Sequence, residues 1–135
     1  MKLNSLSTAV LFHGIAALGY CFVFVLEAFG ISLPLLSLEA QHPNFMSTQY
    51  SQAASLFAAS ALLTFACYEI FFIPSYLSKS NDNASRKKIK RIFVAYHIPW
   101  SIMITYLALL DGSSWTAWIS VGVMYGFTLW GAISE

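Results

Sequence analysis

Charged residues are scarce in this sequence. Asp, Glu, Lys and Arg make up only 10% of its 135 residues, against about a quarter in an ordinary soluble domain. Hydrophobic residues make up 58%, and the mean hydropathy is +0.65. A soluble protein of this size would expose much of that apolar surface to water. The composition therefore predicts an integral membrane protein that crosses its membrane several times, without indicating which membrane.

Cysteine and the familiar catalytic motifs are scarce as well. The two cysteines, Cys21 and Cys67, both lie in apolar runs, and neither belongs to a CxxC pair. The sequence therefore indicates neither a disulfide framework nor a cysteine zinc site. It contains no nucleophile elbow, HExxH helix, P-loop or dinucleotide-binding glycine pattern. No motif points to an enzyme, and we expect a protein without chemistry of its own.

Basic residues are few, and nearly all of them occur together. Six of the seven lie between Lys79 and Arg91, so the formal net charge of +1 hides a strong asymmetry along the chain. Nucleic-acid binding needs a basic face on a folded domain, and this pattern does not supply one. An apolar run follows directly, which is typical of the cytoplasmic end of a membrane helix. The segment also suits a position near anionic lipid headgroups.

Four apolar runs are long enough to cross a bilayer as helices. We expect an all-α fold, a four-helix transmembrane bundle that forms a single domain over residues 1–135. The first run is too long for the hydrophobic region of a signal peptide. Pro74 is expected to end the second run, and a tight turn at 111–114 makes the third and fourth antiparallel neighbours. The predicted spans cover residues 6–31, 50–73, 92–110 and 115–133.

The basic segment orients the predicted bundle. Residues 74–91 are expected to form a loop between the second and third spans, whereas the segments after the first and third spans contain no lysine or arginine. Because basic residues concentrate in cytoplasmic loops, the N-terminus, this loop and the C-terminus are all predicted to lie in the cytoplasm.

Small residues indicate where helices are expected to approach each other closely. The fourth span contains Gly122 and Gly126, whose spacing allows two helix backbones to come together. The second span carries a ridge of small residues. We expect both sets to pack within one bundle, although the glycine pair would also suit a homo-oligomer or another membrane protein. The ridge consists of Ser51, Ser55 and Ala59.

Three ionisable residues fall at one predicted depth in the membrane. At about 1.5 Å per residue, His13, Glu69 and His97 lie roughly 7 to 10 Å inside the cytoplasmic ends of the first three spans. Ionisable groups are costly in lipid and usually face the interior of a bundle. We therefore predict that at least two of these side chains meet there, within reach of one bridging water. Pro99 is expected to kink the third span beside His97.

This cluster allows more than one chemistry. It would either fix the helix register and bind or relay a proton, or hold a metal ion or small substrate between helices. The two histidines, His13 and His97, would also suit the axial positions of a b-type haem, with Gly14 as the one indication of room. No cofactor is predicted outright, and haem b is the alternative. Glu27, near the far end of the first span, is expected to reach the outer headgroups.

The expected function follows from these features rather than from a motif. We expect a small polytopic membrane protein that acts as an accessory or assembly subunit. It would hold a membrane partner or lipid through its glycine pair and basic loop. The alternatives are a haem-binding electron carrier through His13 and His97, and a small transporter or membrane enzyme built on His13, Glu69 and His97.

Overall fold

The structure, a computed structural model, describes residues 5–43, 51–79, 82–110 and 114–134, and every regular element in them is helical. In chain order the elements are α1 (Ser5–Ala28), α2 (Leu38–Gln41), α3 (Ser51–Cys67), a π-helical turn (Tyr68–Phe72), α4 (Ile73–Lys79), α5 (Asn83–Leu110) and α6 (Trp115–Ile133). The segments long and apolar enough to cross a membrane are Leu6–Ala28, Ser51–Leu77, Asn83–Leu110 and Trp115–Ile133. The all-α fold with four candidate spans is therefore confirmed, and the side on which each terminus lies stays a prediction.

Helix α1 ends before the predicted boundary at residue 31, at a glycine cap. Gly30 adopts a φ of +82°, and its N–H donates to the Glu27 carbonyl at 2.9 Å. The Ile31 N–H donates to the Leu26 carbonyl at 2.9 Å. These two bonds form a Schellman motif, in which glycine is favoured because it has no Cβ to clash in the left-handed conformation. The apolar residues around this cap conceal it from a hydropathy analysis.

Apart from Asp82, the described residues between 74 and 91 are helical, where the sequence predicts a loop. Helix α4 continues past Pro74, and α5 already carries the basic residues that follow position 82. Pro74 does not stop the helix because a π-helical turn precedes it. In this turn the Ile73 N–H donates to the Tyr68 carbonyl. The wider turn accommodates the break that a proline without an N–H makes in the hydrogen-bond ladder.

An aspartate cap starts α5 within the basic segment. The Asp82 carboxylate accepts hydrogen bonds from the Ala84 N–H at 2.9 Å and from the Ser85 N–H at 3.2 Å. Amides in the first turn have no partner within their own helix, so such a cap stabilises the helix start. The Ala84 amide, followed by the Ser85 hydroxyl and amide, holds the pKa of Asp82 below its usual value.

The long helices form two pairs of neighbours. Helix α1 lies along α3, and α5 lies along α6. The pairs meet where α1 contacts α6 and where α4 contacts both α1 and α5. A core cluster joins α1, α4 and α5 at the basic end of the bundle, and it consists of Leu6, Val10, Ile73, Leu77, Ile89 and Phe93. Tyr50, the predicted start of the second span, and residues 111–113 of the predicted turn lie outside the described residues.

The predicted ridge of small residues on the second span packs against α1. Ser55 and Ala59 are buried, and Ser51 is half-buried. The Ser55 hydroxyl donates to the Glu27 carboxylate at 3.5 Å. Ala59 belongs to a core cluster that includes the α1 side chains Cys21, Val23 and Phe24. The ridge therefore holds α3 against α1.

The glycine pair of the fourth span does not pack within the bundle, contrary to expectation. Among the described residues, no atom of another helix lies within 4 Å of a Cβ built at Gly122 or Gly126. The reason is that α6 turns a different face to its neighbours. A Cβ added at Gly131 would collide with the Phe93 ring, so α6 approaches α5 closely at this point. The buried residues of α6 are Thr116, Ala117, Val121 and Gly131.

Candidate functional site

Three helical segments each place one ionisable side chain at a common point in the bundle. His13 comes from α1, Glu69 from the π-helical turn and His97 from α5. All three are buried, because Glu69 and His97 expose 0% of their surface and His13 exposes 6%. The structure thus brings together the three residues that the sequence grouped by depth, which we call the His–Glu–His cluster.

The π-helical turn and a glycine set the position of Glu69. A π turn adds one residue to a helical turn and so changes the direction in which its side chains project. Gly14 of α1 faces this turn, and a Cβ added there would lie 2.9 Å from the Ile70 side chain and 3.0 Å from Glu69 Cβ. The missing side chain lets α1 approach closely. The space expected beside Gly14 is therefore filled by Glu69 and Ile70.

The closest contact in the cluster joins His13 to Glu69. Nδ1 of His13 lies 2.5 Å from Oε2 of Glu69. A ring nitrogen and a carboxyl oxygen this close share one hydrogen-bonded proton. With Glu69 ionised, the His13 Nδ1–H donates to the carboxylate. This bond ties α1 to the second span at the depth of the cluster.

The backbone orients His97. Its Nδ1–H donates to the Phe93 carbonyl, one turn earlier in α5, at 2.7 Å. Because a carbonyl only accepts, the proton lies on Nδ1, and Nε2 of the neutral ring is an acceptor. This Nε2 is buried and has no hydrogen-bond partner among the described residues. Helix α5 passes through Pro99 without ending, and the kink expected there stays a prediction.

The cluster contains more acceptors than donors. Oε1 of Glu69 is also buried, and it too has no partner within the described part of the chain. One possible ligand atom from each of His13, Glu69 and His97 lies within 4.8 Å of the others. A buried acceptor without a donor is costly, so two of them together mark a place for a donor or a cation. A bound cation would satisfy both.

Aromatic rings surround the two histidines. The His13 and His97 rings meet edge to face with centroids 4.2 Å apart, Phe127 lies 5.0 Å from His13, and Phe93 lies 4.2 Å from His97. Apolar walls lower the local dielectric and strengthen each charge interaction within them. Because the imidazole rings are in contact, a porphyrin could enter between them only if the rings moved apart.

Glu27 lies outside this cluster and has a different role from the one expected. Its carboxylate oxygens accept hydrogen bonds from the Leu38 N–H at 2.9 Å and from the Glu39 N–H at 2.7 Å. These amides begin α2, which the Ser37 side chain also caps. Instead of reaching toward headgroups, Glu27 fixes the segment that follows α1 to the side of the bundle.

The groups that orient the cluster were not evident from the sequence. Neither the π-helical turn nor the bond to the Phe93 carbonyl changes the hydropathy pattern. The available signal was Pro74, five residues after Glu69, because a proline inside an apolar run often follows an irregular helical turn. A search for such a turn would have suggested that Glu69 projects differently from its neighbours.

Comparison with known proteins adds nothing to the geometry of the cluster. No protein-family model, curated protein or solved structure matches this chain.

Proposed function

We propose that the protein is a multi-pass membrane protein that binds a divalent transition-metal ion between His13, Glu69 and His97. One observation carries this proposal: Oε1 of Glu69 and Nε2 of His97 are buried acceptors without donors among the described residues, in a cluster with a third potential ligand. A bound cation would occupy both acceptors at once.

The ligand set suits zinc and its first-row neighbours. Two imidazoles and one carboxylate are common ligands of Zn²⁺ and of Fe²⁺, and both ions can retain an open position with this set. Ligand atoms on one such ion are about 3 to 4 Å apart, because each bond is about 2.0 to 2.2 Å long. The three candidate atoms lie at most 4.8 Å apart, so small side-chain rotations would bring all three within bonding distance of one ion.

The hydrogen bond of His97 supports this assignment. A ligating histidine usually donates its other ring N–H to a carbonyl or carboxylate, which fixes its tautomer. The bond from His97 Nδ1 to the Phe93 carbonyl is of this kind and leaves Nε2 for the ion. Metal binding releases protons from its ligands, so the proton between His13 and Glu69 is the one that an ion would displace.

Metal content tests the proposal. After purification in detergent, tag removal and dialysis against a weak chelator, the protein is expected to retain an equimolar amount of zinc or iron by elemental mass spectrometry. Glu69→Gln and His97→Gln should lose it. The matched control Glu39→Gln, at an exposed glutamate of α2, should retain it. Equal metal in all variants, or no retention by the wild type after loading with Zn²⁺, would contradict the proposal.

A second role, that of an accessory or assembly subunit, is supported by the exposed glycine pair. Gly122 and Gly126 meet no other helix of the described chain, and their spacing allows a helix from a second copy or from another membrane protein to approach closely. Gly126→Leu should abolish such an association without lowering the thermal stability of the chain. Cross-linking in membranes measures it, with Gly19→Leu as a control in open space on α1. An unchanged cross-linking pattern would count against this role.

A further inference from the structure

A groove between α5 and α6 combines two kinds of lining. Its volume is about 470 Å³. The basic residues at one end are Lys87, Lys90 and Arg91. The rest of its wall is apolar and includes Val94, Ile98 and Ala132. Cations at one end and a hydrocarbon wall along the remainder match the layout of a phospholipid with a charged headgroup and an acyl chain.

We propose that this groove binds one anionic phospholipid. The headgroup phosphate would lie at Lys87 and Arg91, and an acyl chain would lie along Val94 and Ile98. These four positions are spaced three and four residues apart, so they follow one face of α5. At about 1.5 Å per residue they extend over roughly 16 Å, which takes the ligand from the charged end of the bundle well into its apolar part.

The positive charges of this groove are available to a ligand. Lys90 Nζ donates to the Ser134 carbonyl at 2.7 Å, which fixes it at the end of α6. Lys87 and Arg91 are exposed, and neither forms an ion pair with a carboxylate of the described residues. A phosphate bound there would accept charge-assisted hydrogen bonds from both side chains.

The apolar wall decides the class of ligand. A free phosphate would use the cations and leave the rest of the groove open to solvent or lipid. An anionic phospholipid would use both parts, and basic pockets between membrane helices are a usual setting for anionic headgroups. Phosphatidylglycerol, with one negative charge and two acyl chains, is therefore a suitable probe. This groove shares no lining residue with the proposed metal site, and either proposal can fail without the other.

Native mass spectrometry of the detergent-solubilised protein tests the proposal by counting retained lipids. The wild type should retain phosphatidylglycerol in preference to phosphatidylcholine. The double variant Lys87→Gln/Arg91→Gln should lower phosphatidylglycerol affinity by roughly tenfold or more, because each basic residue near an anionic headgroup contributes measurably. The matched control is Lys79→Gln/Lys88→Gln, which removes the same charge at exposed positions outside the groove and should leave the affinity unchanged.

A second variant tests the apolar part of the groove. Ala132→Trp fills the wall without changing the charge, and it should also lower phosphatidylglycerol retention. Thermal unfolding with and without the lipid checks that every variant is folded, and the lipid should raise the melting temperature only of the wild type and the lysine control. Equal losses in both double variants, equal retention of phosphatidylcholine, or displacement of the lipid by inorganic phosphate would overturn the proposal.

Discussion

Two glutamates, Glu27 and Glu69, lie within the candidate spans, and their surroundings differ. Both oxygens of Glu27 accept backbone N–H groups, at 2.7 and 2.9 Å. Glu69 is completely buried, yet only one of its oxygens has a partner among the described residues, namely His13. A carboxylate whose acceptors are filled by backbone amides holds the fold together. A carboxylate with a buried acceptor that has no donor destabilises the fold, which is why we propose that Glu69 binds a ligand.

The largest effect is expected at Glu69. Glu69→Leu would leave Nδ1 of His13 without its partner in a buried site, and it should lower the free energy of unfolding by about 3 kcal/mol. Glu69→Gln should cost less, because its amide can still hydrogen-bond to the imidazole. Thermal unfolding of both variants in one detergent, followed by circular dichroism, measures the difference. Equal losses would show that the bond to His13 is not what Glu69 contributes.

Gly14 should give the next largest effect, because it determines how closely α1 approaches Glu69. Gly14→Ala would place a Cβ 2.9 Å from the Ile70 side chain and should destabilise the protein by about 1 to 3 kcal/mol. Gly19→Ala is the matched control on the same helix, since a Cβ there meets nothing within 4 Å. It should stabilise the protein by about 0.5 to 1 kcal/mol, as alanine does inside a helix. Both changes are read from the same unfolding transition, and shifts of the same sign would contradict this account.

Glu27 should give a smaller and more local effect. Glu27→Ala removes the acceptor of the Leu38 and Glu39 amides, and losing a cap of this kind costs about 1 kcal/mol. Hydrogen exchange at these two amides should accelerate, while the metal content should stay at the wild-type level. Loss of the metal in this variant would mean that the two glutamates are not independent.

Asp82, a carboxylate outside the spans, should give the smallest effect and a dependence on pH. Its pKa is lowered in the folded protein. The stabilisation that Asp82 gives to the start of α5 is therefore fully present at a pH above its unfolded pKa, which is near 3.9. That contribution is lost as the pH falls through the lower folded pKa. Exchange at the Ala84 and Ser85 amides, corrected for intrinsic rates, should accelerate at the acidic end. Asp82→Asn, which caps without titrating, should remove this dependence, and its persistence would point to another group.

The sequence predicted those features that depend on hydropathy and on distance along a helix. Four spans and the shared depth of His13, Glu69 and His97 both follow from counting residues at a fixed rise. Rotation about the helix axis is harder to predict, because one extra residue in the π-helical turn redirects Glu69. The same limit applies to α6, where Gly131 makes the close contact and Gly126 does not.

Capping interactions were the second source of error. They depend on single polar atoms, which barely affect the mean hydropathy of a sequence window. Asp82 caps a helix that begins at Asn83, within the segment expected to be a loop. Gly30 ends α1 inside an apolar run, and Glu27 binds the start of α2 across a gap of eleven residues in sequence. Each of these contacts joins a side chain or a turn to particular backbone amides, and composition does not specify which amides will be near.

The length of α5 has a consequence for where the protein's positive charge stands. With 28 residues the helix is about 42 Å long, whereas the hydrocarbon core of a bilayer is about 30 Å thick. The Lys90 side chain donates to the Ser134 carbonyl, so α6 ends near the level of Lys90. Residues 83–89 of α5 therefore extend about 10 Å beyond the end of α6. Of the three groove cations, Lys87 therefore stands on this helical extension and Lys90 and Arg91 stand at its base, at angles about the axis that the helix fixes. A single residue inserted after Arg91 would rotate the groove's cations by about 100° about the helix axis relative to Ile98. The charged end of the groove would then no longer adjoin its apolar wall. The net charge and mean hydropathy of the chain would be almost unchanged.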